Sequence, residues 1–573
     1  MAEEYREEDL TASDRRIKRG FVTIGDRQVH FRYAGKGPAV VLFGQSPTSS
    51  QTLDRQTLAF SEHFTAIAID SCGLGRSTTL QTPTTEIADQ AIALAQTLDA
   101  LGISKVAAYG SHTGASICAE FAMRYPERTA IALLDGYPVY SEDERTRRLN
   151  TYFPHMEKTW DGLHLMWLWY RYREQNLFWP WNISGRVTRA NCSVPAPEHI
   201  HRGVVDILDV WLGYVEPYAA AFRYRAQEPI PHLKVPTAFL AYPDDSLLTA
   251  LDLLPKPLPE CCWIEPMPLD RDAGAQKEIG IMKGVPAWPD APPIKATSRR
   301  IVGVTDDYVD LDEGQLFLRR WGKHGGDRLP LVMLPPAPGS ATQLDTLPEL
   351  LASDREVIAL DLPGCGDSDA FAGAVHDVAR SAHLVAEALT KLGMSKADVY
   401  GRHGGASVAV ELATQKPDMV GALVLDGPPA LTADERREIA PRYAEPIELE
   451  WDGSHLIRLW HSTRDQELFW PWYERKIDHI RKNDPDVRAD RLTTEVLAYL
   501  KNYQTYAGMW EAVLSYPVRE RLADLGRPYA ICGSVNDKFA NHAQAIAGER
   551  FVAVPDSRLA AAQVIRNCID RNR

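Results

Sequence analysis

Two histidines occur in the same short setting, 291 positions apart. His112 lies in Gly110-Ser111-His112-Thr113-Gly114, and His403 lies in Gly401-Arg402-His403-Gly404-Gly405. In both, an apolar run leads into G-x-H-x-G and small residues follow. That is the outline of a strand, a sharp bend and a helix packed closely against a sheet, an elbow that pushes its middle side chain into the open. An imidazole at such an apex has an ordinary pKa of ~6.5, so it can accept or return a proton near neutrality. Its target would be water, or an O–H or C–H bond of a small molecule.

The same offset of 291 relates Asp70 to Asp361, Asp135 to Asp426, Trp160 to Trp451 and Trp179 to Trp470, and an offset of 292 relates Asp245 to Asp537. A nearly constant offset over so long a stretch means duplication of a whole domain. The expected organisation is a tail at 1–16, a first domain at 17–270, a connector rich in Pro, Gly and charge at 271–299, and a second domain at 300–573.

The elements that must hold the histidines follow from hydrophobic pattern. Phe21 to Tyr33 alternates around Gly25-Asp26 and predicts a hairpin. Ala39 to Phe43 and Thr65 to Asp70 are short apolar runs suited to mid-sheet strands, and Ile87 to Leu101 has helical spacing. After the elbow come a helix and the strand Ala130 to Leu134, ending at Asp135. The second half repeats this with Leu331 to Leu334, Val357 to Asp361 and Ala422 to Asp426. Alternating strands and helices predict an α/β class with a mainly parallel sheet covered on both faces.

The D-x-x-G-x-G-x-S turns at Asp70 to Ser77 and Asp361 to Ser368, the two elbows, and late strands leading to Asp245 and Asp537 resemble the α/β-hydrolase superfamily. The resemblance implies two tandem α/β-hydrolase-fold domains. Each is expected to have a helical lid, at about 140–230 and about 431–523. It implies that Asp245 and Asp537 occupy the place of a catalytic acid. It also implies that the N–H after the elbow histidine, on Thr113 or Gly404, and an amide of Gly44, Gln45 or Ser46, form an oxyanion hole. Pro335 and Pro336 replace the latter loop in the second copy and have no N–H to offer, so the first copy is the expected active site. The chain departs from the superfamily in carrying histidine where Ser, Cys or Asp is usual, with no histidine after the last strand. A serine there would lack its base. His112 is therefore expected to act as a general base oriented by Asp135 or Asp245, and His403 to pair with Asp426 or Asp537.

The lids share Trp160-Asp161-Gly162-Leu163-His164-Leu165 with Trp451-Asp452-Gly453-Ser454-His455-Leu456, and Phe178-Trp179-Pro180-Trp181 with Phe469-Trp470-Pro471-Trp472. This looks like a bacterial subfamily with a G-x-H-x-G elbow and a W-D-G-x-H-L and F-W-P-W lid. His164 and His455 are candidate second acids or bases. Trp167, Trp179, Tyr214, Trp470 and Tyr506 are candidate substrate-binding groups.

A net charge of -14 argues against nucleic acid. No apolar run is long enough to span a membrane and the N-terminus reads as no signal peptide, so a cytoplasmic chain is expected. Eight scattered cysteines point to free thiols, and His199-Ile200-His201 lacks a third ligand, so no metal and no cofactor are expected. The partners expected are a small-molecule substrate and an intrachain pseudo-dimer of the two halves. The leading expectation is an atypical hydrolase acting on a small apolar organic molecule. Cofactor-free lyase, isomerase or oxygenase chemistry, and a non-catalytic binding or scaffold role, are the alternatives.

Overall fold

The computed structural model describes residues 16–299, 301–323 and 325–572. The tail expected at 1–16 lies, except for its last residue, outside them. The chain divides into two compact units, the first comprising Met1–Glu157 and Trp167–Ile301, the second Lys158–Met166 and Val302–Arg573.

The first unit opens with the hairpin β1 (Lys18–Ile24) and β2 (Arg27–Ala34), turned at Gly25-Asp26 as the alternation predicts. Next come β3 (Ala39–Phe43), α1 (Asp54–Ser61), β4 (Thr65–Ile69), α2 (Ile87–Leu101), β5 (Val106–Ser111), α3 (Thr113–Arg124) and β6 (Thr129–Asp135). The expected lid region holds α4 (Glu142–Thr151), α5 (Leu163–Gln175, of which Leu163–Met166 fall in the second unit), α6 (Pro197–Val210) and α7 (Val215–Arg223). The unit closes with β7 (Thr237–Ala241), β8 (Cys262–Pro266) and α8 (Arg271–Lys283). The sheet order is β1-β2-β4-β3-β5-β6-β7-β8, parallel from β4 onward.

Every residue of β3, β4 and β6 is buried, as strands covered on both faces must be. Close packing of α3 on that sheet depends on small residues. A Cβ on Gly114 would sit 2.2 Å from the Phe43 carbonyl oxygen. Residues 271–299 are more than a connector. Asp270 caps α8 by accepting the N–H groups of Asp272 and Ala273, and α8 buries Ala275, Ile279 and Met282 at helical spacing. Trp288 stacks on Phe64 at 5.7 Å, and its indole N–H donates to the Ala39 carbonyl at 3.0 Å. The density of Pro, Gly and charge in this stretch masked an apolar stripe of three residues.

The second unit repeats the plan with β9 (Thr305–Asp310), β10 (Gln315–Trp321), β11 (Leu331–Leu334), α9 (Leu347–Leu351), β12 (Val357–Leu360), α10 (Val378–Lys391), β13 (Ala397–Arg402), α11 (Gly404–Gln415) and β14 (Val420–Asp426). Its expected lid region carries α12 (Ala433–Ile439), α13 (Ser454–Asp465), α14 (Ala489–Lys501), α15 (Tyr506–Ser515) and α16 (Val518–Ala523). It ends with β15 (Ala530–Gly533), α17 (Ala540–Ala547), β16 (Val552–Ala553) and α18 (Arg558–Arg571). Read from β9, the sheet order β9-β10-β12-β11-β13-β14-β15-β16 matches the first. Among the described residues no helix is long and apolar enough to cross a membrane.

Candidate active site

Each elbow histidine stands between the end of a strand and the first turn of a helix. His112 has φ 52° and ψ -110°, and His403 has φ 49° and ψ -119°. Non-glycine residues at such positive φ store roughly 1–3 kcal/mol and persist only where their surroundings impose them. Here the surroundings do so. The His112 N–H donates to the Asp135 carbonyl at 2.8 Å, and its own carbonyl accepts the Ala115 N–H at 2.9 Å. His403 repeats both bonds with Asp426 and Ala406, at 3.0 and 2.9 Å.

The imidazoles reach the acids after β7 and β15 directly. His112 Nε2 lies 3.1 Å from Asp245 Oδ2, and His403 Nε2 lies 2.6 Å from Asp537 Oδ2. A serine at the apex would be too short to span that gap, so histidine closes in one bond the link that a serine enzyme makes through a separate base. Asp245 is anchored in turn, because its Oδ1 accepts the Leu247 N–H at 2.6 Å. Burial works against charge on the His112 ring, but the Asp245 carboxylate and its hydrogen bond, with Asp135 adding to them, raise the pKa above the usual 6.5. Burial would raise Asp245, and the His112 charge and hydrogen bond outweigh it and hold the carboxyl low.

Room for this contact is made by a glycine that the sequence reading passed over. Gly136, at φ +60°, follows β6, and a Cβ there would lie 2.4 Å from His112 Cδ2 and 2.6 Å from Asp245 Oδ2. Gly427 is its counterpart, with a Cβ position 3.0 Å from Asp537 Oδ1 and 3.1 Å from His403 Cδ2. The repeated Asp-Gly after β6 and β14 was the available signal.

Asp135 and Asp426 do not bond the histidine rings. Tyr109 donates its hydroxyl to Asp135 Oδ2 at 2.9 Å, and Tyr400 donates to Asp426 Oδ2. Asp135 Oδ1 is buried without a hydrogen bond. Burial, with the neighbouring Asp245 charge, pushes its pKa up to about 6.

A cavity of about 650 Å³ opens over the first elbow. His112, Asp135 and Asp245 line it, together with the predicted Gly44, Gln45, Ser46, Thr113 and Trp179. The Ser46 N–H approaches the Thr113 hydroxyl at 3.4 Å. Tyr140, Trp179 and Phe222 form an aromatic wall, while Gln175, Asn176 and Arg271 supply polar groups that the sequence reading missed. Arg271 pairs with Asp244 at 2.7 Å. His199 also faces this cavity, with Nε2 3.2 Å from Asn176 Oδ1.

Other predicted residues lie elsewhere. Trp167 packs on Trp181 with centroids 6.0 Å apart, and Tyr214 is buried beneath the Arg171 guanidinium. His164 is buried, accepts the Thr159 N–H on Nδ1 at 3.2 Å, and is lowered by that burial to about 4. His455 likewise accepts the Glu450 N–H at 3.2 Å. Both histidines thus brace the segment that enters their own helix. In the second unit His403, Asp426 and Asp537 line a cavity of about 810 Å³. Trp470 packs on Phe539, which abuts His403, and Tyr506 packs behind Tyr499. Among the described residues no group of three or more His, Cys, Asp or Glu is arranged to hold a metal.

Comparison with known proteins bears on the fold. The family described as alpha/beta hydrolase fold matches residues 38–167, and the alpha/beta hydrolase family matches residues 331–565. The chain carries two domains of the α/β-hydrolase fold in tandem. A proline iminopeptidase of Heyndrickxia coagulans is 25% identical over 140 residues, which is 24% of this chain. The chain spans about half the length of that curated relative, 48%. Among solved structures, epoxide hydrolase A from Mycobacterium thermoresistibile is 15% identical, with 48% of this chain and all of that one covered, at a TM-score of 0.38. E-2-(acetamidomethylene)succinate hydrolase is 17% identical, with 47% of this chain and 100% of that one covered, at 0.36.

Proposed function

We propose that the first unit is a hydrolase in which His112 is the general base and Asp245 its orienting acid, acting on a small uncharged acyl compound. The observation that carries this reading is the direct His112–Asp245 hydrogen bond on the floor of a cavity. Asp245 accepts the Nε2 proton, so the neutral ring carries its lone pair on Nδ1, for which no hydrogen bond exists among the described residues. Water held against Nδ1 loses a proton to it as the water oxygen attacks the carbonyl carbon. The oxyanion forms beside the Thr113 and Gln45 amides, and the imidazolium returns its proton to the leaving group as the bond to carbon breaks. The aromatic wall of Tyr140, Trp179 and Phe222 favours an apolar acyl or leaving group, and the iminopeptidase relative is consistent with acyl chemistry.

The test is turnover of a panel of 4-nitrophenyl esters and small lactones in ¹⁸O water. His112→Ala is expected to abolish turnover with an unchanged melting profile, and the wild-type acid product is expected to carry one solvent oxygen. Turnover that survives in His112→Ala would falsify the assignment, and a product without solvent oxygen would move it to lyase or isomerase chemistry.

A further inference from the structure

The second cavity is not a copy of the first. Where the first elbow has Ser111 before its histidine, the second has Arg402, and its side chain lines the cavity beside His403. Several of the charged groups facing this cavity are committed to one another. Arg491 pairs with Glu467 at 2.6 Å and Glu495 at 3.3 Å, Lys538 lies 3.9 Å from Glu495 and donates to the Gln466 amide oxygen at 2.7 Å, and Asp537 holds His403. Arg402 is different. Its Nε is buried and makes no hydrogen bond, and the acid beside it, Asp426 Oδ2, stands 4.0 Å away and already accepts from Tyr400. The Arg402 side chain as a whole keeps 24% of its surface exposed, and its terminal N–H groups make no hydrogen bond among the described residues, so an arriving oxyanion finds them unpaired.

We infer that the cavity of the second unit is a binding site for a small carboxylate, with Arg402 as the anion-recognising residue. The guanidinium fork matches two carboxylate oxygens. Asp426 and Asp537 lie close by, so a monoanion is accepted where a dianionic phosphate is repelled. Tyr499 and Trp510 line the same cavity and offer apolar surface to the carbon skeleton. This site is independent of the chemistry proposed at His112, since every residue it uses belongs to the second unit.

The test is calorimetric titration of the full chain with phenylacetate, with phenylacetamide as its uncharged twin and inorganic phosphate as the competing anion. Wild type is expected to bind phenylacetate, Arg402→Ser to bind it roughly 10- to 100-fold more weakly, and Arg402→Lys to fall between, as loss of a charge-assisted bidentate contact requires. Phenylacetamide is expected to bind wild type and Arg402→Ser alike. Thermal melts check folding, and Arg402→Gln carries the comparison should Arg402→Ser fail to fold. Equal phenylacetate affinity with and without Arg402, no binding to wild type, or phosphate binding as tightly as phenylacetate each overturns the inference.

Discussion

At the scale of single residues, the site rests on His112, Asp245 and the gap left by Gly136. Asp245 raises the His112 pKa, so Asp245→Asn should lower it. The base form of the ring exists above its pKa, and the acidic limb of the rate profile is therefore expected to move to lower pH in the variant. The maximal rate should drop by about 10²–10⁴-fold, the range associated with a misoriented base. A limb that stays in place would separate Asp245 from the titrating group. Gly136→Ala forces a methyl into the His112–Asp245 contact at a positive φ, which adds about 1 kcal/mol of backbone strain. Turnover should fall by more than ~10-fold, whereas a methyl merely tolerated at the surface would leave the rate unchanged. The histidine was readable in sequence because the flanking glycines announce the bend. Its partner was narrowed to two aspartates, and the choice depended on where the loop after β7 folds, which spacing does not encode.

At the scale of elements, helix α6 is tied to the loop that carries Gly44, Gln45 and Ser46. Asp206 on α6 accepts the Ser49 N–H at 2.8 Å and the Ser49 hydroxyl at 2.9 Å. Burial pushes the Asp206 carboxyl up to about 7, although the Ser49 bonds pull the other way. An unfolded aspartate titrates near ~3.9, so the folded state binds this proton more tightly, and stability gains as pH falls from about 7 toward about 4. The melting temperature of Asp206→Asn should lack that part of the rise, so the gap between variant and wild type should change sharply between pH 8 and pH 5. A constant gap measured by calorimetry would show that Asp206 does not titrate there. The strands around the elbow were legible because continuous apolar runs have few other places to go. The region between β6 and β7 was not: the aromatic residues Trp167, Trp179 and Tyr214 look alike in composition, yet Trp179 lines the cavity and the other two do not. The short stripe of α8 was hidden by its charged neighbours in the same way.

At the scale of the whole molecule, the constant offset made the duplication plain, and both sheets share one strand order. What the offset could not disclose is how far the two cavities have diverged. The first combines Ser111 with an aromatic wall, and the second combines Arg402 with a lattice of ion pairs and a proline pair in place of the oxyanion loop. His403→Ala is accordingly expected to retain turnover within about twofold of wild type, where His112→Ala loses it, because interactions in separate sites behave independently. Loss of activity in both variants, measured on the same ester panel, would mean that the halves act together.

The one-bond link between the bend and the late aspartate also constrains ancestry. Swapping His112 for serine would leave a hydroxyl facing Asp245 with no imidazole between them, and no histidine follows β8 in this unit to fill that role. Any lineage joining this arrangement to an ordinary serine enzyme had to change at least two positions. Replacing His112 first would remove the elbow imidazole from this unit, while the second unit would keep His403 and Asp537 in its own cavity.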